Sequence, residues 1–259
     1  MESSWRVIGA DALGTSHQKM GLPCQDAQTS RLLSDGSVLI ALADGAGTAE
    51  RSQEGARQAV DRALLCLDAT LSLEMPQDEA DWEALIRDAF QQARQRVLEI
   101  AEENGSPIKA YATTLICVVA SDCWLAVGQI GDGAVVAVDM QDEYFTLVQP
   151  QRGEYANETN FLTMEDAFEL LTVRAVAQPV RALAVMSDGL TRLALKIPDY
   201  EPHIPFFDPL FAFTAETENQ EMAVSQLEAF LNSERLNART DDDKSLVLAV
   251  RDPGPDNNP

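Results

Sequence analysis

The sequence predicts an α+β fold in which antiparallel β-sheets are layered against paired helices. Three observations predict it. Short apolar runs rich in β-branched residues recur along the chain. Two long segments with helical period lie next to each other between them. Strands and helices do not alternate regularly, so the pattern is not that of a parallel α/β sheet.

The strands are expected at 5–10, 38–43, 112–120, 124–130, 134–138, 144–148, 173–177, 183–186 and 246–250, runs too short for helices. Asp35-Gly36, between two apolar runs, reads as an ordinary hairpin turn. From Glu54 onward, Ala56, Ala59, Val60, Ala63, Leu64 and Leu67 fall on one helical stripe. Over 78–103, Trp82, Leu85, Ile86, Ala89, Phe90, Ala93, Val97 and Ile100 do the same, and the two helices are expected to form an antiparallel hairpin over a sheet face. A third helix is expected at 216–232 with Met222, Leu227 and Phe230 inward, and a short one at 164–171. No linker divides the chain. One domain is expected over 1–250, with a disordered tail at 251–259.

Composition narrows the function. Lys and Arg number 19 against 42 Asp and Glu, a net charge of -23. Such a field repels phosphate backbones and anionic lipid, which argues against nucleic-acid and membrane-surface binding. Cys24, Cys66, Cys117 and Cys123 show neither zinc spacing nor a disulfide framework. The N-terminal residues have no signal-peptide pattern, and no apolar run approaches the roughly 20 residues that span a bilayer. A cytoplasmic setting is expected.

The acids are placed unusually. Asp44 ends the apolar run 38–43 in the stretch ADGAG; Asp132 follows the run ending at Ile130; Asp188 follows the run ending at Met186. Asp241, Asp242 and Asp243 precede the last strand, and Asp26 precedes another extended piece. A strand-end Asp-Gly is usually a turn, but several placed in this way bring carboxylates together if the strand ends share one edge. Converging carboxylates stay ionised only with cations present. Oxygen donors without Cys or His at metal spacing select Mg²⁺ or Mn²⁺. Gly45 would let a backbone carbonyl reach a metal, and Gly189 would permit a tight turn. Two such ions activate water and clamp a phosphoryl oxygen. A two-metal nuclease would need the same acids, but the net charge argues against it.

The ordered set of motifs resembles the metal-dependent protein phosphatase family (PPM, the type 2C phosphatases), in its short bacterial branch. The matching pieces are GTSH (14–17), GLPCQDA (21–27), ADGAG (43–47), TTL (113–115), IGDG (130–133), GEYANET (153–159), SDGL (187–190) and TDDDKSL (240–246). The resemblance spans about residues 5–250. It implies two stacked antiparallel sheets flanked by helix pairs, with a two-metal centre between the sheets. Asp44 matches the carboxylate that bridges both ions, and Gly45 offers its carbonyl. Asp188 and Asp242 match the acids that complete the first ion's shell. Asp26 matches an acid that orients water at the metals. Asp132, with Asp188, matches the holder of a third ion in several bacterial members.

There are departures. Gln25 stands where the family commonly has a Glu ligand of the second metal. Ala46 stands where it often has a His proposed as general acid. The family's phosphate-binding Arg has no clear match, and His17 and Lys19 are the candidates to replace it; His17 is also a candidate catalytic residue. Arg152, Glu154 and Asn157 lie where the family carries a variable flap and are candidate substrate contacts. The resemblance implies hydrolysis of phosphoserine and phosphothreonine on a protein, a partner Ser/Thr kinase, and here a monomer. With the Ala46 position vacant, p-nitrophenyl phosphate is expected to turn over better than serine-type esters. The alternative is a weakly active or inactive module that binds phosphoproteins.

Overall fold

Residues 38–43 are apolar at every position because both faces of that strand are buried. Leu39, Ala41 and Ala43 point into a core shared with helices, while Val38, Ile40 and Leu42 point into a core shared with a second sheet. The same division governs the last strand. There Leu246, Leu248 and Val250 face helices, and Val247 and Ala249 face the other sheet.

The structure is a computed structural model and describes residues 5–151 and 159–252. In chain order the elements are β1 (Trp5–Ala12), α1 (Thr15–Met20), β2 (Ala27–Leu32), β3 (Val38–Ala43), α2 (Ser52–Leu71) and α3 (Glu79–Glu103). Then come β4 (Leu115–Ala120), β5 (Leu125–Ile130), β6 (Ala134–Asp139), β7 (Tyr144–Val148), α4 (Ala167–Leu170), β8 (Thr172–Val176) and β9 (Val180–Met186). The rest are α5 (Asp188–Ala194), β10 (Leu195–Lys196), β11 (Glu201–Pro202), α6 (Ile204–Glu216), α7 (Gln220–Leu231), α8 (Glu234–Asn237) and β12 (Lys244–Arg251).

Two five-stranded antiparallel sheets stack face to face, in the orders β1-β12-β9-β6-β7 and β2-β3-β4-β5-β8. Helices α2 and α3 cover the outer face of the second sheet, as the stripes predicted. They run antiparallel: Gln58 bonds Arg96, Arg62 bonds Gln92 and Cys66 bonds Asp88. Asp78 caps α3 by accepting from the Asp81 N–H at 3.0 Å. Helices α5, α6 and α7 cover the first sheet. Among the described residues, no helix is long and apolar enough to cross a membrane.

Some expectations need correction. The helix expected at 216–232 is the end of α6 and the whole of α7, separated at Thr217–Asn219, where Asn219 caps α7 by accepting from the Met222 N–H. Met222 consequently lies on the first turn and is 58% exposed, whereas Leu227 is buried and Phe230 packs partly against the core. The strand expected from 112 begins at Leu115, because residues 108–111 form a 3₁₀ turn. The Asp35-Gly36 hairpin holds: β2 pairs with β3, and Gly36 adopts φ 82°.

The topology sets the site. In an antiparallel sheet the end of one strand lies beside the start of its neighbour. Met186 pairs with both Ala134 and Leu246, so Asp188, Asp132 and the 241–243 triplet come to one edge. Ala27 pairs with Ala43, which brings Asp26 and Asp44 to the matching edge of the other sheet.

Candidate metal centre

Asp44 is placed by its backbone. Its N–H donates to Thr114 Oγ1 at 2.8 Å, and its carbonyl accepts from the Thr114 N–H at 2.8 Å and from the Thr113 hydroxyl at 3.0 Å. Both threonines are buried, so the Thr-Thr pair of β4's approach is a clamp on the carboxylate loop. The Gly45 N–H donates to the Gln25 carbonyl, tying that loop to the residue before Asp26.

Asp44, Asp132 and Asp188 converge, each offering an oxygen within 4.8 Å of the others. All three are half-buried by surface, but protein packs round the Asp44 carboxyl, and that packing governs its proton affinity. Burial, then Asp26 and Asp188, push it well above the usual carboxylate range. Burial, then Asp132 and Asp242, raise Asp188 to about 7. Burial raises Asp132 against the opposing bond from the Thr159 hydroxyl at 2.7 Å. Burial also drives Asp26 upward, with Asp243 and Asp188 adding to it, while Ser187 and Ser245 beside it oppose. The Ser245 hydroxyl itself donates to Asp11 at 2.7 Å, and neither Asp26 oxygen has a hydrogen-bond partner.

These residues fit a hard divalent cation. Asp26 Oδ1 and Oδ2, Asp188 Oδ1 and Gln25 Oε1 are buried acceptors without partners. Buried acceptors are normally satisfied, and mutually repelling carboxylates need positive charge. The converging group contains neither Cys nor His, consistent with Mg²⁺ or Mn²⁺ chemistry.

Not every candidate joins the group. Asp242 is exposed and accepts from the Asp243 N–H at 2.9 Å; it lies outside the trio but close enough to raise Asp188. Lys19 is exposed on α1. His17 is buried, with Nδ1 2.9 Å from Asp243 Oδ2. Arg152, Glu154 and Asn157 lie outside the described residues. Gly189 does not make a tight turn, because α5 starts at Asp188. Its reason is close approach: a Cβ there would lie 2.1 Å from the Asp243 carbonyl oxygen. Gly189→Ala is therefore expected to cost about 1–3 kcal/mol, read as a lower urea midpoint at unchanged slope.

The sequence reading gave Asp243 no role beyond its place in the acidic triplet, and it did not single out Lys244. Asp243, at 3% exposure, accepts from the Gly14 N–H at 2.6 Å and the Gln25 N–H at 2.6 Å as well as facing His17. It pins the 14–25 segment to the start of β12. Lys244 is fully buried, with Nζ bonded to Asn237 Oδ1 at 3.1 Å and the Asp242 carbonyl at 3.2 Å. Burial lowers its pKa, and the nearby Asp243, Asp242 and Asp26 oppose that. The triplet announced carboxylates, but only the turn geometry separates the exposed Asp242 from the buried Asp243.

An oxygen-only cluster at the shared edge of an antiparallel sandwich, covered by helices on both outer faces, is a site suited to a hard divalent cation. The chain belongs to the protein phosphatase 2C family, whose pattern matches residues 13–232. It is 37% identical over 254 residues to serine/threonine-protein phosphatase 3 of Escherichia coli (strain K12), covering 95% of this chain and 98% of that protein. The fold matches the serine/threonine phosphatase of Staphylococcus aureus with TM-score 0.62 at 15% identity, over 96% of this chain and 97% of that one. It also matches the S. agalactiae serine/threonine phosphatase with TM-score 0.63 at 14% identity, over 95% of this chain and 99% of that one.

Proposed function

We propose that this protein is a metal-dependent phosphatase that hydrolyses phosphoserine and phosphothreonine monoesters on proteins. The convergence of Asp44, Asp132 and Asp188 carries the reading, supported by family membership and the E. coli relative's name. Asp44, Asp188 and Asp132 would hold divalent ions, two and with Asp132 a third, with the Gly45 carbonyl, Asp242 and Gln25 completing the shells. Bound there, Mg²⁺ or Mn²⁺ supplies an activated water at neutral pH and neutralises phosphoryl oxygens.

The chain's own residues do the rest. Thr113 and Thr114 hold Asp44 in place, Asp243 holds the segment carrying Gln25 and Asp26, and Asp26 orients water. His17, Lys19, Arg152, Glu154 and Asn157 are the proposed substrate contacts. The reaction requires a Ser/Thr kinase to make its substrate. Free Cys24, Cys66, Cys117 and Cys123 suit a reducing cytoplasm.

The neutral Gln25 amide favours a second reading, a phosphoprotein-binding module with little turnover. One assay separates them: hydrolysis of p-nitrophenyl phosphate and a phosphoserine peptide in EDTA, Mg²⁺ or Mn²⁺. Metal-dependent turnover is expected. A folded protein that binds the peptide but releases no phosphate with either metal is the binding module.

A further inference from the structure

Hydrolysis of a serine phosphate expels an alkoxide, which needs a proton as its bond to phosphorus breaks. Ala46 offers none, and ionised carboxylates only accept. His17 lies beside this centre, bonded to Asp243, whose charge acts on Asp26, and that bond fixes its ring. Asp243 faces its Nδ1 at 2.9 Å while also accepting from the N–H groups of Gly14 and Gln25. That carboxylate cannot swing away without releasing two backbone donors. A carboxylate on Nδ1 selects the tautomer with its proton there and leaves Nε2 as the exchanging nitrogen. Nε2 has no hydrogen-bond partner among the described residues. It faces the loop that carries Asp44, where a Cβ on the exposed Gly47 would lie 3.6 Å from it.

We propose that His17, positioned by Asp243, donates the proton to the leaving oxygen. This rests on the phosphatase reading above. As the water oxygen bonds to phosphorus, the bond from phosphorus to the seryl oxygen breaks and the Nε2 proton passes to that oxygen. The proton lost by the attacking water restores the imidazolium through solvent. His17 is the catalytic residue, and Asp243 acts through it. The vacant Ala46 position then puts serine esters at no disadvantage.

The test compares two leaving groups on the full chain with Mn²⁺. The p-nitrophenolate ion leaves without a proton, and a seryl alkoxide does not. For His17→Gln, kcat on a phosphoserine peptide is expected to fall about 10²-fold further than kcat on p-nitrophenyl phosphate, while a lost phosphate contact raises KM on both substrates alike. Asp243→Asn is expected to split the substrates in the same direction. His17→Ala is expected to recover phosphoserine turnover with added imidazole. Equal losses on both substrates, or no loss on either, would overturn the assignment and leave His17 a structural residue. If Asp243→Asn fails to fold, the two His17 variants decide alone, since among the described residues the His17 side chain bonds Asp243. A wild-type chain inert on both substrates would sink the phosphatase reading itself, a result distinct from the split.

Discussion

Asp44→Asn is expected to abolish metal-dependent phosphate release while leaving the fold intact or more stable. The substitution keeps shape and removes one negative charge from the trio of Asp44, Asp132 and Asp188. An amide ligates a hard cation poorly, so losing a proposed metal ligand is expected to remove several kcal/mol of transition-state stabilisation, roughly 10²–10⁴-fold in rate. The same change relieves repulsion with Asp26 and Asp188, so the metal-free variant should melt no lower than the wild type. Asp35→Asn is the matched control. Asp35 also precedes a glycine, but its carboxylate accepts from the Ser37 N–H at 2.9 Å and the Ser37 hydroxyl at 3.0 Å within a hairpin. Its activity should stay within about twofold, because turn-residue changes away from a site act on stability alone. If both Asp-Gly variants lose activity in proportion to lost stability, Asp44 is structural and the proposed centre is wrong. Opposite signs for activity and stability at Asp44 are what a ligand produces and a core residue does not.

Much of this was legible in the sequence, because buried strands and amphipathic helices write their periods directly. The stripes of α2 and α3 are visible at Ala56 to Leu67 and Trp82 to Ile100, and all of those residues are buried. Strand-end acids were visible too, since a carboxylate closing an apolar run breaks the pattern. What was not legible depends on tertiary contact. Helix α1 is six residues long, and the Ser16 N–H and hydroxyl both bond the Asp241 carbonyl, a partner 225 residues away. Helix α6 reads IPFFDPLFAFTAE, where Pro205 suits a first turn but Pro209 argues against a helix interior and no polar face marks a period. Asp243 and Asp242 are adjacent in sequence and alike in chemistry. One is buried against three donors and the other faces water, a difference set by how the 14–25 segment folds over β12.

The pH dependence of the metal-free protein is expected to carry the signature of this centre. Asp188 has its folded pKa raised to about 7, and Asp44 and Asp26 are raised well above their ordinary values. An acid whose folded pKa exceeds its unfolded one, about 3.9, favours folding when protonated. That contribution is fully present below pH about 4 and is lost as pH rises through 7 and beyond. In EDTA, stability should therefore fall from pH 5 to pH 8, and Asp188→Asn should flatten part of that slope. Divalent cations reverse it, because they bind the ionised folded centre. At a concentration about 100 times the dissociation constant they add about 2.7 kcal/mol, a rise in Tm of roughly 5–10 °C for a chain of this size. The rise should be large at pH 8 and small at pH 5, where protons compete for the same oxygens. Thermal melts at the two pH values, with and without Mn²⁺, read this directly. An equal metal-induced shift at both would place the cation away from these carboxylates. A shift confined to high pH and lost in Asp188→Asn ties metal binding to the edge where β9, β6 and β12 meet.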